Sequence, residues 1–397
     1  MPQDAREIEQ LVQSGSLEET SSFDGKEALP APKRNIDLAI DVAAMSTDGG
    51  LLLYGVGEDE QERLSRLTPI ELAGAADRIS QIIGTSIAEV PYVEIREHPS
   101  DANPSEGYLT ILVPQSARAP HQVIVGDDKR YYGRNAKGNR RLAEGEVARL
   151  YRRRLAWEQD RDALLVEAIQ QARFPPHNDL GYLHGFVRPL APDRAIWERA
   201  IQTAGGRREL QDALRKVAAS TGPRRGYDPD LRGAANWRQQ GADEWLFSTL
   251  PDTDAREEPD RADQAVDVRI NVDGRGHLFC GRAGARTRSG EIAIFEDLIA
   301  GNFAAFLGVM GKVYDLGEYH GQVDLGVSVT GIRGGTSVSK SSDFGGFGPG
   351  PYRADSYPRT DQVAAAALLD PEAVTSRMLD PFFEATTGQD HYNPFQV

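Results

Sequence analysis

Residues 36–58 read IDLAIDVAAMSTDGGLLLYGVGE. Ile36, Ala39, Ile40 and Ala43 recur at three- and four-residue spacing, the apolar stripe of a helix, and Asn35 stands where a side chain can cap its first turn. Gly49-Gly50 ends that helix, because glycine accepts the left-handed backbone of a C-terminal cap. Residues 51–56 are an apolar run of strand length, and Gly57-Glu58-Asp59 closes it as a polar turn. The stretch therefore predicts helix, buried strand and acidic turn in one compact unit. An acid at the end of a buried strand is held by rigid backbone, which suits a metal ligand or a general base.

Working outward, the 397 residues suffice for two domains with separate cores. One cysteine, Cys280, excludes an intramolecular disulfide framework and fits a reducing compartment. No early apolar run resembles a signal peptide and no stretch has the length of a membrane span, so a soluble, cytoplasmic protein without a membrane partner is expected. The net charge of -15 argues against whole-surface binding of nucleic acid and leaves room for a local basic site.

Upstream, residues 4–12 read as a short helix with Ile8, Leu11 and Val12 on one side, and residues 17–29 read LEETSSFDGKEAL. In an extended strand Asp24 and Lys26 share one face while Phe23 takes the other. Such a pair can serve a metal or a proton transfer, and it can equally be a surface ion pair.

Together these segments resemble the AlbA-like Schlafen domain. Glu19 and Lys26 match that family's glutamate and its Glu-Phe-Lys, with Asp24 in place of the second glutamate and Gly25 in place of the aromatic. Residues 43–50, AAMSTDGG, follow its alanine-rich helix ending in Asn-Thr-x-Gly-Gly, with Ser46 where asparagine is usual. Gly55-Val56-Gly57-Glu58 follows its Gly-Val-acid-acid turn, with Gly57 in the first acidic position. The resemblance covers roughly residues 4–154. It implies an α/β domain that binds nucleic acid, and in members with ribonuclease activity three carboxylates hold a divalent metal. Carried over, these are Glu19, Asp24 and Glu58 around Mg²⁺ or Mn²⁺, with Lys26 beside them. Glu18 and Asp59, one position off register, leave open which acid points inward.

Residues 129–154 hold ten Lys or Arg against two Glu, a local +8 that leaves -23 for the remainder. Tyr131-Tyr132-Gly133-Arg134 resembles the family's Tyr-Tyr-x-Arg strand. Guanidinium groups fork onto phosphates and aromatic rings stack on bases, so Arg130, Tyr132, Arg134, Lys137, Arg140 and Arg141 are the expected nucleic-acid contacts. Arg152-Arg153-Arg154 reads as a solvated helix face.

Between these segments the pattern predicts a helix over 69–88, a strand over 92–96, a loop over 98–107, a strand over 108–113 and a hairpin arm around 126–128. A charged connecting helix over 155–174 stops at Pro175-Pro176, giving domains 1–154 and 177–397 with a linker at 155–176. The second domain starts loop-rich. It then predicts a helix over 194–219, loop over 221–241, a strand at 245–247, a solvated charge run over 252–263 and an alternating strand over 266–272. Asp273-Gly274 turns this into a strand at 277–280, followed by a helix over 295–313 and a strand over 320–332. Residues 333–357 are Gly/Ser-rich and expected to be mobile, and a final helix over 362–386 is interrupted at Asp370-Pro371. The whole is an α+β protein whose second domain carries an antiparallel sheet, and we recognise no family in that domain's sequence. His277 with Cys280 offers too few ligands for zinc, and residues 308–312 lack the glycine and Ser/Thr of a phosphate loop. Asp324, His320 and Ser328 on one strand are a common coincidence.

Two functions of different class follow. One is a metal-dependent ribonuclease acting on tRNA or other structured RNA. The other is a non-catalytic regulator that binds RNA or DNA through the first domain and a partner or ligand through the second. A nucleotide or other small anion on the basic segment is a third, weaker reading. Self-association into a homo-oligomer is compatible with all of them.

Overall fold

A computed structural model describes residues 2, 4–15, 17–31, 34–59, 63–125, 129–135, 138–222, 228–234, 236–251, 259–338, 350–388 and 392–395. The chain forms two compact units, Met1–Glu158 and Gln159–Val397, and the fold is α+β. The helix Glu144–Gln170 is continuous through the expected domain boundary at 154, so the connecting helix is its second half.

In the first unit a five-stranded sheet carries Phe23–Lys26, Gly50–Tyr54, Glu106–Val113 and Ile70–Glu71 in that order, with Glu94–Pro99 also paired to Glu106–Val113. The first pair is parallel and the others are antiparallel. A parallel pair needs a crossover, and the helix Asn35–Met45 supplies it. Leu52, Tyr54, Leu109 and Ile111 pack against that helix and against Ile79 and Ile83 of the helix Ala75–Ser86. Leu53 and Tyr108 pack with Leu64 and with Ile8 and Val12 of the helix Ala5–Gln13.

Several expectations are corrected by local geometry. Arg34, not Asn35, occupies the cap of the crossover helix, and no side chain caps it. Its buried face centres on Leu38, Val42 and Met45 rather than on Ile36 and Ile40, and it includes the acid Asp41. Gly49 does take a left-handed φ of 90°. The apolar run stops at Tyr54, because Gly55 (φ 98°) kinks the chain, and Val56–Glu58 forms a separate hairpin with Leu64–Leu67. A Cβ on Gly55 would lie 2.8 Å from the Tyr108 ring. Glu58 thus ends a strand of that hairpin.

The expected helix over 69–88 is shorter. Ile70–Glu71 hydrogen-bonds as a strand to Gly107 and Glu106, Gly74 turns the chain with a φ of 71°, and the helix begins only at Ala75. A free sheet edge outcompetes a first helical turn there. The expected loop over 98–107 is also shortened, since the strands Glu94–Pro99 and Glu106–Val113 extend into it. A second, four-stranded antiparallel sheet orders Gly138–Arg141, Arg130–Asn135, Gln122–Val123 and Ile87–Ala88. Its longest strand lies against the crossover helix. The tip at 126–128 and Lys137 fall outside the described residues.

The second unit is built on a nine-stranded sheet. Its main path runs Asn236–Gln240, Glu244–Ser248, Val266–Asn271, Gly276–Arg286, Leu180–Pro189, Gln322–Thr330 and Ser356–Ala364, all antiparallel. Ile292–Ile294 and Gly335–Ser337 add a short parallel pair at the side. The apolar helix Glu296–Leu316 covers one face, burying Phe303, Phe306 and Met310 against Leu183, Val268 and Leu325. The helices Arg194–Ala204, Arg207–Ser220 and Pro371–Thr387 pack around it.

The alternating strand at 266–271 and the left-handed turn at Gly274 stand as expected. The loop-rich start instead holds the central strand Leu180–Pro189, and the loop over 221–241 holds the strand Asn236–Gln240. The helix over 194–219 is two helices broken at Gly205-Gly206, whose φ angles of 91° and 138° no helix can absorb. The first part of the expected final helix is the strand Ser356–Ala364 with a short 3-10 turn, and the helix starts at Pro371 under an Asp370 cap. Of the charge run and the Gly/Ser-rich segment, 252–258 and 339–349 lie outside the described residues. Asp324 is buried and accepts hydrogen bonds from Arg188 (2.8 Å) and Gln362 (3.1 Å), an internal ion pair. Cys280 is fully buried, where desolvation pushes its thiol up to about 12. Among the described residues, no helix is long and apolar enough to cross a membrane.

Candidate functional site

Three elements of the first unit bring charged side chains to one place. The strand Phe23–Lys26 supplies Asp24 and Lys26 on one face, as its alternation requires, and Lys26 Nζ donates to Asp24 Oδ1 at 2.8 Å. The crossover helix supplies Asp41. The basic hairpin of the strands Arg130–Asn135 and Gly138–Arg141 supplies Arg134 and Asn139, which face each other across its strands. Arg134 Nη1 donates to Asp24 Oδ2 at 2.8 Å and lies 3.8 Å from Asp41 Oδ1. Asn139 Nδ2 donates to that same Asp41 oxygen.

Glu19 joins from the preceding loop. The residue is solvent-exposed, but its carboxyl end turns inward, where Oε1 accepts from the Gly25 N–H at 3.1 Å and the group shares a hydrogen bond with Asp24. Of the adjacent acids Glu18 and Glu19, it is Glu19 that reaches the cluster. Glu58 is exposed at the end of its strand and reaches Glu19 only through its charge.

The two central carboxyls are pushed apart in acidity. Partial desolvation, the hydrogen bond to Asp24 and the charges of Asp24 and Glu58 raise Glu19 to about 7. Burial alone would raise Asp24, which is 2 % exposed, but hydrogen bonds from Glu19, Lys26 and Arg134 outweigh it and hold Asp24 below the usual carboxylate range. Burial works against the charge on Lys26 as well, yet Asp24 and Asp41 keep it protonated. Asp41 is raised by burial, with Lys26 and Asn139 opposing. Near neutral pH the site holds the titrating Glu19 beside the ionised Asp24, the buried Asp41 and the cations Lys26 and Arg134, an arrangement suited to moving protons.

The basic hairpin differs from its expected role at two positions. Tyr132 is 7 % exposed and packs in the core, so its ring is not on the surface to stack on a base. Arg134 has a side chain 6 % exposed and spends its guanidinium on Asp24. Arg140 lies on the surface in a two-pronged pair with Glu146, at 2.8 and 2.6 Å, and holds that acid down to about 2. Arg130 and Arg141 are exposed. On the following helix Arg153 donates to the Thr47 carbonyl at 2.8 Å and Arg154 to Glu89 at 2.6 Å, so that face is partly pinned to the domain.

A Mg²⁺ or Mn²⁺ ion at Glu19, Asp24 and Glu58 would compete with the cations that already hold Asp24. Both oxygens of Asp24 already accept from cationic side chains, and among the described residues no three His, Cys, Asp or Glu are placed to hold one ion. Asp41, Asn139 and Tyr54 were not singled out in the sequence. An acid inside the apolar helix run DLAIDVAAM was the available signal for Asp41. Beside the site opens a cavity of about 450 Å³, with Lys26, Asp41 and Tyr54 in its wall. No family model matches the chain, and no curated protein matches it.

Proposed function

We propose that the first unit binds RNA and cleaves it by proton transfer through Glu19, without a metal ion in the step. The observation that carries this reading is Glu19 at about 7 against an ionised Asp24, with Lys26 alongside. The resemblance of residues 4–154 to the AlbA-like Schlafen domain supports the choice of nucleic acid, as do the exposed Arg130 and Arg141.

In the proposed step the Glu19 carboxylate takes the proton of a ribose 2′-hydroxyl while O2′ bonds to the adjacent phosphorus. The P–O5′ bond breaks, and the leaving 5′ oxygen takes a proton from water. Glu19 then returns its proton to solvent, which a pKa near 7 makes easy in both directions. Asp24 keeps the Glu19 carboxyl oriented and basic, and it is a positioning residue. Lys26 stabilises the charge growing on the phosphoryl oxygens. DNA has no 2′-hydroxyl and is bound but not cut.

The test is incubation of labelled tRNA, single-stranded RNA and single-stranded DNA with the protein in EDTA and in Mn²⁺. Cleavage of RNA alone, in EDTA, to a 2′,3′-cyclic phosphate end is the expected result, lost in Glu19→Gln. Cleavage only in Mn²⁺ overturns the metal-free step. Binding without cleavage under every condition leaves a non-catalytic nucleic-acid-binding module.

A further inference from the structure

The cavity beside the site is a separate structural fact from the proton-transfer pair. At about 450 Å³ it falls in the size range of small-molecule sites. Leu29, Pro30 and Ile40 give it apolar wall, while Lys26, Asp41 and Tyr54 give it polar groups. Asp41 is 5 % exposed. Its Oδ1 is taken by Asn139, and among the described residues no side chain donates to Oδ2. Tyr54 is buried beside Asp41 and Asp24, and that burial, with the two negative charges, keeps its hydroxyl protonated and so able to donate.

We propose that this cavity binds a guanine base and lays the attached phosphate on Lys26, which makes it the base-selecting subsite of the cleavage reaction proposed above. Apolar walls accept the flat ring. The discrimination lies in the hydrogen-bonding edge. Guanine presents N1–H and an amino group side by side, two donors toward one anionic acceptor, with O6 next to them for a donor such as the Tyr54 hydroxyl. Adenine and cytosine place a ring nitrogen lone pair beside their amino group, and uracil flanks its single N–H with two carbonyls. Each of these turns a lone pair toward a carboxylate that cannot donate, so Asp41 both selects guanine and repels the others.

The inference rests on the RNA reading for its biological meaning but is tested without cleavage. Titration calorimetry with guanosine, adenosine, cytidine and uridine 5′-monophosphates should show guanosine monophosphate bound at least about tenfold tighter than the rest, the discrimination of one good paired contact. Asp41→Asn should abolish that preference. Because Asp41 also touches the Arg134 network, a second variant, Ala31→Trp, fills the cavity wall from an exposed position and should weaken binding of guanosine monophosphate without lowering the melting temperature. Tetranucleotides UGUU and UAUU in DNA form, which the proposed step cannot cut, identify the source of the base. Tighter binding of UGUU than of the mononucleotide points to a polymer, and equal binding points to a free nucleotide. Equal affinity for all four mononucleotides, no binding of any, or a preference unchanged in both variants overturns the proposal. RNA cleavage without base preference would also overturn it while leaving the cleavage reading intact.

Discussion

Arg134 donates from Nη1 to Asp24 Oδ2 across 2.8 Å, with the two side chains 6 % and 3 % exposed. The bond ties the basic hairpin to the edge strand of the central sheet. Breaking a buried pair outright costs about 3–5 kcal/mol, but Lys26 still lies 2.8 Å from Asp24 when Arg134 is removed. Arg134→Ala should therefore lower the stability of the first unit by about 1–3 kcal/mol in urea unfolding, the cost of a lost buried hydrogen bond. Arg134→Lys should recover part of it, keeping the charge and losing the planar fork. Loss below about 1 kcal/mol for the alanine variant would mean that water replaces the guanidinium.

On the RNA reading proposed above, the phosphates are assigned to the surface arginines Arg130 and Arg141. In Arg130→Ala and Arg141→Ala, the plot of log affinity for RNA against log salt should flatten by about one unit for each phosphate no longer neutralised. Fluorescence anisotropy from 50 to 300 mM salt, as a rough working range, reads this directly. An unchanged slope in the double variant would put the binding face elsewhere.

In the proposed step Glu19 supplies the pH dependence. Its carboxyl is raised to about 7, so below that value it is protonated and unable to take the 2′-hydroxyl proton. Cleavage should rise with pH through about 7 and level off above it. Carbon NMR of the Glu19 carboxyl should show a midpoint near the same value, well above an ordinary glutamate. A midpoint below about 5 would remove the titrating base from the proposed mechanism.

Acid stability of the second unit should follow its buried imidazoles. Burial lowers His184 to about 4, and burial with the charge of Arg269 lowers His277 to about 4. The unfolded chain takes up these protons near pH 6.5 while the folded one refuses them until about 4, so the stability they lend is full above about 6.5 and lost as pH falls toward 4. For His184, 2 % exposed, the linkage is on the order of a few kcal/mol. The melting temperature should drop steadily through that window, and His184→Phe should shallow the drop. A profile identical in the variant would assign the acid loss to other groups.

What the sequence made legible, and what it hid, follows from the range of the interactions. The strand at Gly50–Tyr54, the turn at Gly49 and the hairpin about Gly274 rest on neighbours a few residues apart, and alternation with glycine placement reveals them. The central strand Leu180–Pro189 was missed because it is buried on both faces and carries Gly181, His184 and Gly185, which break any period-two pattern. Gly185 is there because Phe303 of the covering helix presses on it, from more than a hundred residues away. The same limit applies to the site. Asp24 and Lys26 are two residues apart and could be placed on one face, whereas a charge count over 129–154 cannot tell that Arg134 turns inward to an acid and Arg140 outward to Glu146. Position 25 shows it again, since a Cβ there would meet the tip of the Leu64 side chain at 2.5 Å, so a larger residue requires Leu64 to move.

The partners Asp24 and Arg134 are separated by 110 positions along the chain. A ribosome adding about 5–20 residues per second makes the acid roughly 5–20 s before the arginine. During that interval Asp24 has Lys26, two residues on, as its cation, and the guanidinium that completes the cluster has not yet been made. The arrival of the hairpin ends that interval, so the final assembly of the cluster is timed by synthesis.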